Sequence, residues 1–521
     1  MKFFRKGIWT KAITILLILA EFVLVIWFCV SLLNNGLQST YAIYFIVGAW
    51  ALSFALGIFI VNSGTENEYK VSWLFLIAAF PILGAVFYLL FAHKIKTKKA
   101  VAYSKRYYAL LSEEPRLSEE EAKLEEAFPE GAKIASLIEK ERSGRVFSNS
   151  EISYFPLGDD AFPKMLSELE KAKHYIYLEF FIIKPGTMWF QILAILKEKA
   201  KEGVDVRVIY DDVGNLGATS PHYDRELRKY GIQAHVFRPI KPFLDVRMNN
   251  RNHRKILVID GHTAFTGGIN IADEYINREK RFGHWKDNAI MVKGKAVYGY
   301  TLLFLADYET NFGQIDKKID YSLYEPERYI DEDGGFPRSD GYILPYGDIP
   351  YDEVPIGEEV YISLLGSAKK YIYMSTPYFL PDEKMKDAII RAALSGVDVR
   401  LLVPHIPDKK FVFELTRKNY GDLLSKGVKI YEYTPGFVHQ KMFVSDDNLA
   451  SIGTINLDYR SLYLHSENGT LLIGNSSINQ MKQDFLDTFS ISEEVSFASW
   501  KKQKRKKWLL WAILSLFAPL L

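Results

Sequence analysis

A duplicated α/β fold carried behind membrane-crossing helices is the architecture that this sequence predicts. Three observations predict it: three apolar segments open the chain, a strand–helix–strand unit occurs twice, and one set of polar residues recurs at identical spacing. A chain of 521 residues is too long for one ordinary core, and a length of about 150 residues per domain calls for a membrane part plus two or more globular units. A formal charge of +2 lacks the strong basic excess of a nucleic-acid binder. Cys29, the single cysteine, lies in an apolar run, which leaves no intramolecular disulfide and no cysteine-based metal site.

The apolar segments cover residues 12–33, 41–61 and 71–92. Each approaches the ~20 residues that span a bilayer, so residues 1–110 read as a membrane anchor with a basic flank. The first segment is too long for a signal-peptide core and no small-residue cleavage site follows it, while Glu21 makes it the least comfortable span. Lys2, Arg5, Lys6 and Lys11 precede it, and Lys94, Lys96, Lys98, Lys99, Lys105 and Arg106 follow the third. Both flanks ask to be cytoplasmic, which three crossings cannot satisfy. The larger cluster puts the soluble part on the cytoplasmic face and makes the Glu21 segment re-entrant or reversed. At the other end, residues 500–521 combine Lys501, Lys502, Lys504, Arg505, Lys506 and Lys507 with a following apolar run. That run, at about 14 residues, is too short to span and suits an anionic lipid interface.

Residues 111–150 are rich in charge, with Glu119, Glu120, Glu121, Glu125 and Glu126 close together, and are expected to form an exposed helical connector. From Tyr154 onward, short β-rich runs alternate with helical stretches, the pattern of an α/β fold. Tyr175-Ile-Tyr-Leu returns as Tyr371-Ile-Tyr-Met, and Gly203-Val-Asp-Val-Arg-Val-Ile returns as Gly396-Val-Asp-Val-Arg-Leu-Leu. A helical stretch separates the two runs in both copies, so each half contains a βαβ unit. The halves are assigned to residues 151–330 and 331–499, with a Pro, Gly and Asp-rich stretch at the start of the second.

Each repeat also carries the polar pattern. In the first it is His253, Lys255, Asp260, Gly267 and Asn270; in the second, His439, Lys441, Asp446, Gly453 and Asn456. Five identities at fixed spacing match by chance on the order of once in 10⁶ to 10⁷ starts, and here the match occurs twice. On a strand, side chains two residues apart share a face, so His253 and Lys255 reach one pocket, as do His439 and Lys441. Asp260 and Asp446 have the opposite parity and each begins a turn, which assigns them to supporting the hairpin. Asn270 and Asn456 are candidate donors to phosphate oxygens. Two such half-sites equip one phosphodiester for double displacement: one neutral imidazole attacks, the other protonates the leaving alcohol, and a second alcohol opens the phosphohistidine. The ammonium and amide groups stabilise the transition state, and the reaction requires no metal and no cofactor. A nucleophilic imidazole needs an acceptor on its far nitrogen; Asp287 and Glu467, one after each pattern, are the candidates. His262, His284, His405 and His465 lack a repeated context and read as structural.

These paired motifs resemble the phospholipase D superfamily. Further stretches resemble bacterial cardiolipin synthases: Leu178-Glu-Phe-Phe-Ile-Ile183, Asp211-Asp-Val-Gly-Asn215, Thr266-Gly-Gly-Ile-Asn-Ile-Ala-Asp-Glu-Tyr275, Thr376-Pro-Tyr-Phe379, Gly453-Thr-Ile-Asn-Leu-Asp-Tyr-Arg-Ser461 and the terminal Ala518-Pro-Leu-Leu521. The likeness runs from about Tyr41 to the end. It implies an α-β-α-β-α sandwich with pseudo-twofold symmetry, and transfer of a phosphatidyl group between two phosphatidylglycerol molecules in a bacterial cell membrane. It also implies His253 as nucleophile and His439 as acid/base. Gly268 departs from the serine more usual after the motif glycine, and the first apolar segment is additional to the family's paired hairpin. Exchange of one phosphodiester for another needs no nucleotide, and no Walker-type loop is present. Tyr378, Phe379 and Phe437 are expected to line an apolar mouth that favours a lipid alcohol over water. A membrane-bound phospholipase D releasing phosphatidic acid uses the same residues and is the rival activity; a homo-oligomer is compatible with the sequence.

Overall fold

The computed structural model describes residues 23, 40–64, 67–81, 84–85, 87–88, 98–112, 118–240, 250–312, 320–329, 336–337, 341–516 and 518. Apart from residue 23, the first expected span lies outside the described residues. The second coincides with the helix Thr40–Val61, and the helix Asn67–Ala79 covers only the first part of the third; the two pack together around Ile60, Tyr69, Trp73 and Ile77. Among the described residues, no helix is long and apolar enough to cross a membrane.

The first repeat supplies β1 (Ser150–Phe155), β2 (Tyr175–Phe180), β3 (Asp205–Asp211), β4 (Gln233–Phe237), β5 (Lys255–Ile259), β6 (Thr263–Gly267), the short β7 (His284–Lys286) and β8 (Ala289–Gly294). The second supplies β9 (Tyr342–Asp348), β10 (Tyr371–Ser375), β11 (Phe379–Leu380), β12 (Asp398–Pro404), β13 (Lys429–Tyr433), β14 (Gly436–Val438), β15 (Met442–Ser445), β16 (Leu449–Gly453), β17 (Leu457–Asp458), β18 (Glu467–Ile473) and β19 (Glu493–Glu494). The first sheet runs β1-β8-β6-β5-β2-β3-β4. The second, read as β9-β18-β16-β15-β10-β12-β13, repeats it strand for strand and adds β19 at the edge. The duplicated runs are the parallel pairs of these sheets: Tyr175 faces Asp205 and Tyr371 faces Asp398. Gly203 and Gly396 end the intervening helices at the same place with φ of +92°, a left-handed conformation that glycine adopts without cost.

Both faces of each sheet are covered, which is why β2 and β10 are buried along their whole length and apolar apart from Glu179 and Ser375. Between the sheets lie the helices Val297–Asn311 and Ser477–Ser490; the first packs on β5 of its own repeat and β9 of the other, the second on β13 of its own and β1 of the other. Gly158–Glu170 and Thr187–Lys201 cover the outer face of the first sheet, and Ile356–Ser367 and Glu383–Leu394 that of the second. The layers follow the α-β-α-β-α order.

Of the two flanking segments, the connector differs from expectation. The connector is not an exposed linker: its helix Pro129–Lys140 buries Ile134, Ala135 and Ile138, which share one helical face, in the core of the second repeat. Gly144 and Phe147 then bridge to Tyr346 and Ile343 of β9. The terminal segment forms one helix, Phe497–Ser515, docked on Lys410–Leu424. Trp500 and Trp511 are buried there, and Glu414 accepts from Lys507 Nζ (2.6 Å) and Trp511 Nε1 (2.9 Å). Trp508, Leu509, Leu510 and Ile513 stay exposed on its other face.

Candidate active site

His253 and His439 stand just before β5 and β15, and each is carried there by a strap onto the opposite repeat. His439 N donates to Lys286 O at 2.8 Å beside the parallel pair of β7 and β14. His253 N donates to Ser466 O, and Ser466 N to Arg251 O, both at 2.8 Å. The carboxylate that follows each strap therefore reaches the histidine of the other motif. Glu467 meets His253 Nδ1 at 3.0 and 2.9 Å, and Asp287 meets His439 Nδ1 at 2.7 Å. Both half-sites come from one chain, so no second copy is needed to complete the pair.

Convergence shows in the electrostatics. Burial, then the lysine ammonium groups, push both histidines well below the ordinary imidazole value, and His439 adds to the effect on His253. Burial, then Lys441, takes Lys255 down to about 7, and burial takes Lys441 down to about 8. Four cation-forming groups thus share one enclosed space, an arrangement that an incoming phosphodiester anion relieves. Each ammonium folds back on its own motif: Lys255 Nζ donates to His253 O at 2.7 Å, and Lys441 Nζ donates to His439 O and lies 2.9 Å from His439 Nδ1.

The two orienting carboxylates are held differently. Glu467 accepts from Ser461 Oγ at 2.5 Å and from Thr454 Oγ1. Asp287 accepts from Asn288 N at 2.9 Å, and burial raises it to about 6. Gly268, the counterpart of Thr454, approaches so closely that a Cβ there would lie 1.9 Å from Asp287 Oδ1. His439 is enclosed by the rings of Tyr275, Trp285 and Phe437 at 5.4, 5.7 and 5.9 Å, whereas His253 meets Phe181 at 5.2 Å.

Asp260 and Asp446 do not touch the histidines. Both sit at positive φ, and each accepts from three successive backbone amides at the start of the neighbouring strand: residues 173–175 for Asp260, 369–371 for Asp446. These bonds pin the turn after β5 to the start of β2 and the turn after β15 to the start of β10. Asn270 already donates to Tyr275 Oη (2.7 Å) and accepts from Ile182 N (3.1 Å), while the buried Asn456 Oδ1 has no partner among the described residues. Phe437 lies by the site and Tyr378 donates to Asp408 (2.5 Å), but Phe379 pairs through β11 with β17 and is wholly inside the second repeat. His262, His284 and His405 pair with Thr263, Tyr433 and Glu432 away from the site. His465, lacking a repeated context, nevertheless packs 5.7 Å from His253, ring to ring.

Sequence reasoning missed Thr454 and Ser461 as supports of Glu467, and Asp211 as the clamp below His253. Asp211 accepts from Arg251 Nε (3.0 Å), Asn252 N (3.0 Å) and Val213 N (2.8 Å). Glu179, raised to about 8 by burial beside Asp307, accepts from Asn252 Nδ2 at 2.5 Å. All four lie inside the stretches quoted above for the family resemblance, which was the available signal.

A doubled sandwich with two crossed imidazole–carboxylate pairs over one enclosed space defines a phospholipase D-like protein. The family model described as cardiolipin synthase, PLD-like domain, matches residues 165–300 and 361–488, and one described as phospholipase D-nuclease N-terminal matches 48–92. The chain belongs to the cardiolipin synthase family of phospholipase D-like proteins. It is 41% identical over 471 residues to an uncharacterized protein of Streptococcus mutans, covering 89% of this chain and 99% of that one. It is 35% identical over 486 residues to a cardiolipin synthase of Alkalihalophilus pseudofirmus, covering 91% and 94%. The fold is shared with a phosphatidylserine synthase of Haemophilus influenzae: TM-score 0.54, 16% identity, 75% of this chain and 100% of that one.

Proposed function

We propose that this enzyme makes cardiolipin and glycerol from two phosphatidylglycerol molecules through a phosphohistidine on His253. The crossed carboxylates carry the reading, because each engages the Nδ1 of one histidine and so leaves Nε2 as the atom that works on phosphorus. Phosphate binding supplies negative charge that raises both imidazoles, so that His439 takes up a proton while His253, its Nδ1–H donating to Glu467, keeps a lone pair on Nε2. His253 Nε2 bonds to phosphorus, the bond from phosphorus to the glycerol oxygen breaks, and His439 gives that oxygen its proton. The hydroxyl of a second phosphatidylglycerol then yields its proton to His439 and attacks phosphorus, and the nitrogen–phosphorus bond breaks. Lys255, Lys441, the amide of Asn456 and the remaining amide hydrogen of Asn270 stabilise the equatorial oxygens.

The helix pair near the N-terminus, the exposed apolar face of the last helix and the relatives' activity support a membrane-anchored enzyme, and the basic cluster after the third apolar segment favours the cytoplasmic face for its catalytic part. With Cys29 replaced, a cysteine placed on the catalytic part should resist an impermeant reagent in intact cells; labelling there overturns that placement. Purified enzyme given labelled phosphatidylglycerol should form cardiolipin and glycerol in equal amounts. Phosphatidic acid without cardiolipin would instead establish the hydrolase.

A further inference from the structure

We propose that His253, His465 and Glu467 form a transition-metal site at which Zn²⁺ switches the enzyme off. Each offers one ligand atom, and these atoms lie within 4.8 Å of one another. His253 Nδ1 is 2.9 Å from Glu467 Oε2, and His465 Nδ1 is 3.7 Å from Glu467 Oε1, too long for a hydrogen bond. Both ring nitrogens of His465 are buried and have no hydrogen-bond partner among the described residues. A buried orphan nitrogen pair is costly, and coordination removes that cost.

Two neutral imidazoles and a carboxylate are a zinc donor set, and the nitrogen share disfavours Mg²⁺. The hydroxyls of Thr454 and Ser461 hold Glu467 as an outer support of the kind metal sites use. Inhibition follows from the tautomer. A metal on His253 Nδ1 requires the ring proton to move to Nε2, and the nitrogen that attacks phosphorus then has no lone pair. No proton is lost overall, and removal of the metal restores the starting tautomer. The inhibitory consequence rests on His253 being the nucleophile; the metal binding does not.

The test uses the full-length chain in detergent, stripped with a chelator and titrated with Zn²⁺, and with Co²⁺ for its visible absorption. One metal per chain is expected, with synthase activity falling at least about tenfold, returning on chelation and unaffected by Mg²⁺. His465→Asn should keep its metal-free activity and weaken Zn²⁺ binding by about 10- to 100-fold; His465→Gln repeats the test should the first variant melt early. Absence of stoichiometric binding, or Co²⁺ spectra unchanged in both variants, overturns the site. A His465-dependent Co²⁺ spectrum in an enzyme that makes no cardiolipin upholds the site and refutes the reaction.

Discussion

The half-site around His253 and the half-site around His439 descend from one motif yet hold their imidazoles in opposite ways. Glu467 accepts two hydroxyl hydrogen bonds besides His253, so its carboxylate is held in place and the tautomer of His253 is fixed. Asp287 sits among aromatic rings, raised to about 6 by burial, and a proton is readily accommodated in that pair. The difference fits the division of labour proposed above: a fixed tautomer suits a nucleophile, and a pair that takes and returns a proton near neutrality suits acid/base work.

The largest effect that tests this contrast is the loss of either histidine, expected to cost about 10⁴-fold in turnover. The two losses should differ with a donor whose leaving group needs no proton. His439→Ala should then accumulate phosphate on His253, while His253→Ala forms no adduct; peptide mapping of the quenched protein decides, and phosphate on His439 would reverse the roles. Glu467→Gln should cost about 10²- to 10⁴-fold, because the amide can present a hydrogen where His253 needs an acceptor. Gly268→Ala should cost about 10²-fold, since the new methyl displaces Asp287 and with it His439; Thr454→Ala should be much milder, and equal losses would deny the asymmetry. For pH, the Asp287 carboxyl lies above its ordinary value, so it is ionised only above about 6. Activity should fall as pH drops through about 6, about tenfold per unit, and Asp287→Asn should flatten that limb in a pH–rate profile. Thr454→Val, which removes one hydroxyl donor to Glu467, is the smallest effect, about five- to tenfold.

Much of the fold was legible. The repeated Tyr-Ile-Tyr and Gly-Val-Asp-Val-Arg runs are the parallel strand pairs of the two sheets, and alternation placed each lysine on its histidine's side. The connector helix was misread because the glutamates of residues 119–126 dominate its composition, while Ile134, Ala135 and Ile138 decide where the following helix goes. Phe379 was misplaced for a related reason: nearness in sequence to a site residue says nothing about which face of a two-residue strand it occupies. His465 looked ordinary because its two orphan nitrogens are a property of its surroundings.

By itself the sequence determined the duplication, the identity of the ten motif residues and the carboxylates available to them, because these depend on local spacing and residue chemistry. Only the tertiary structure decided that Glu467 serves His253 and Asp287 serves His439. That exchange depends on the straps at Ser466 and Lys286, where backbone hydrogen bonds join the two repeats. Residues 253 and 467 are 214 apart along the chain, and no periodicity reaches across such a separation; the packing of one sheet against the other sets it.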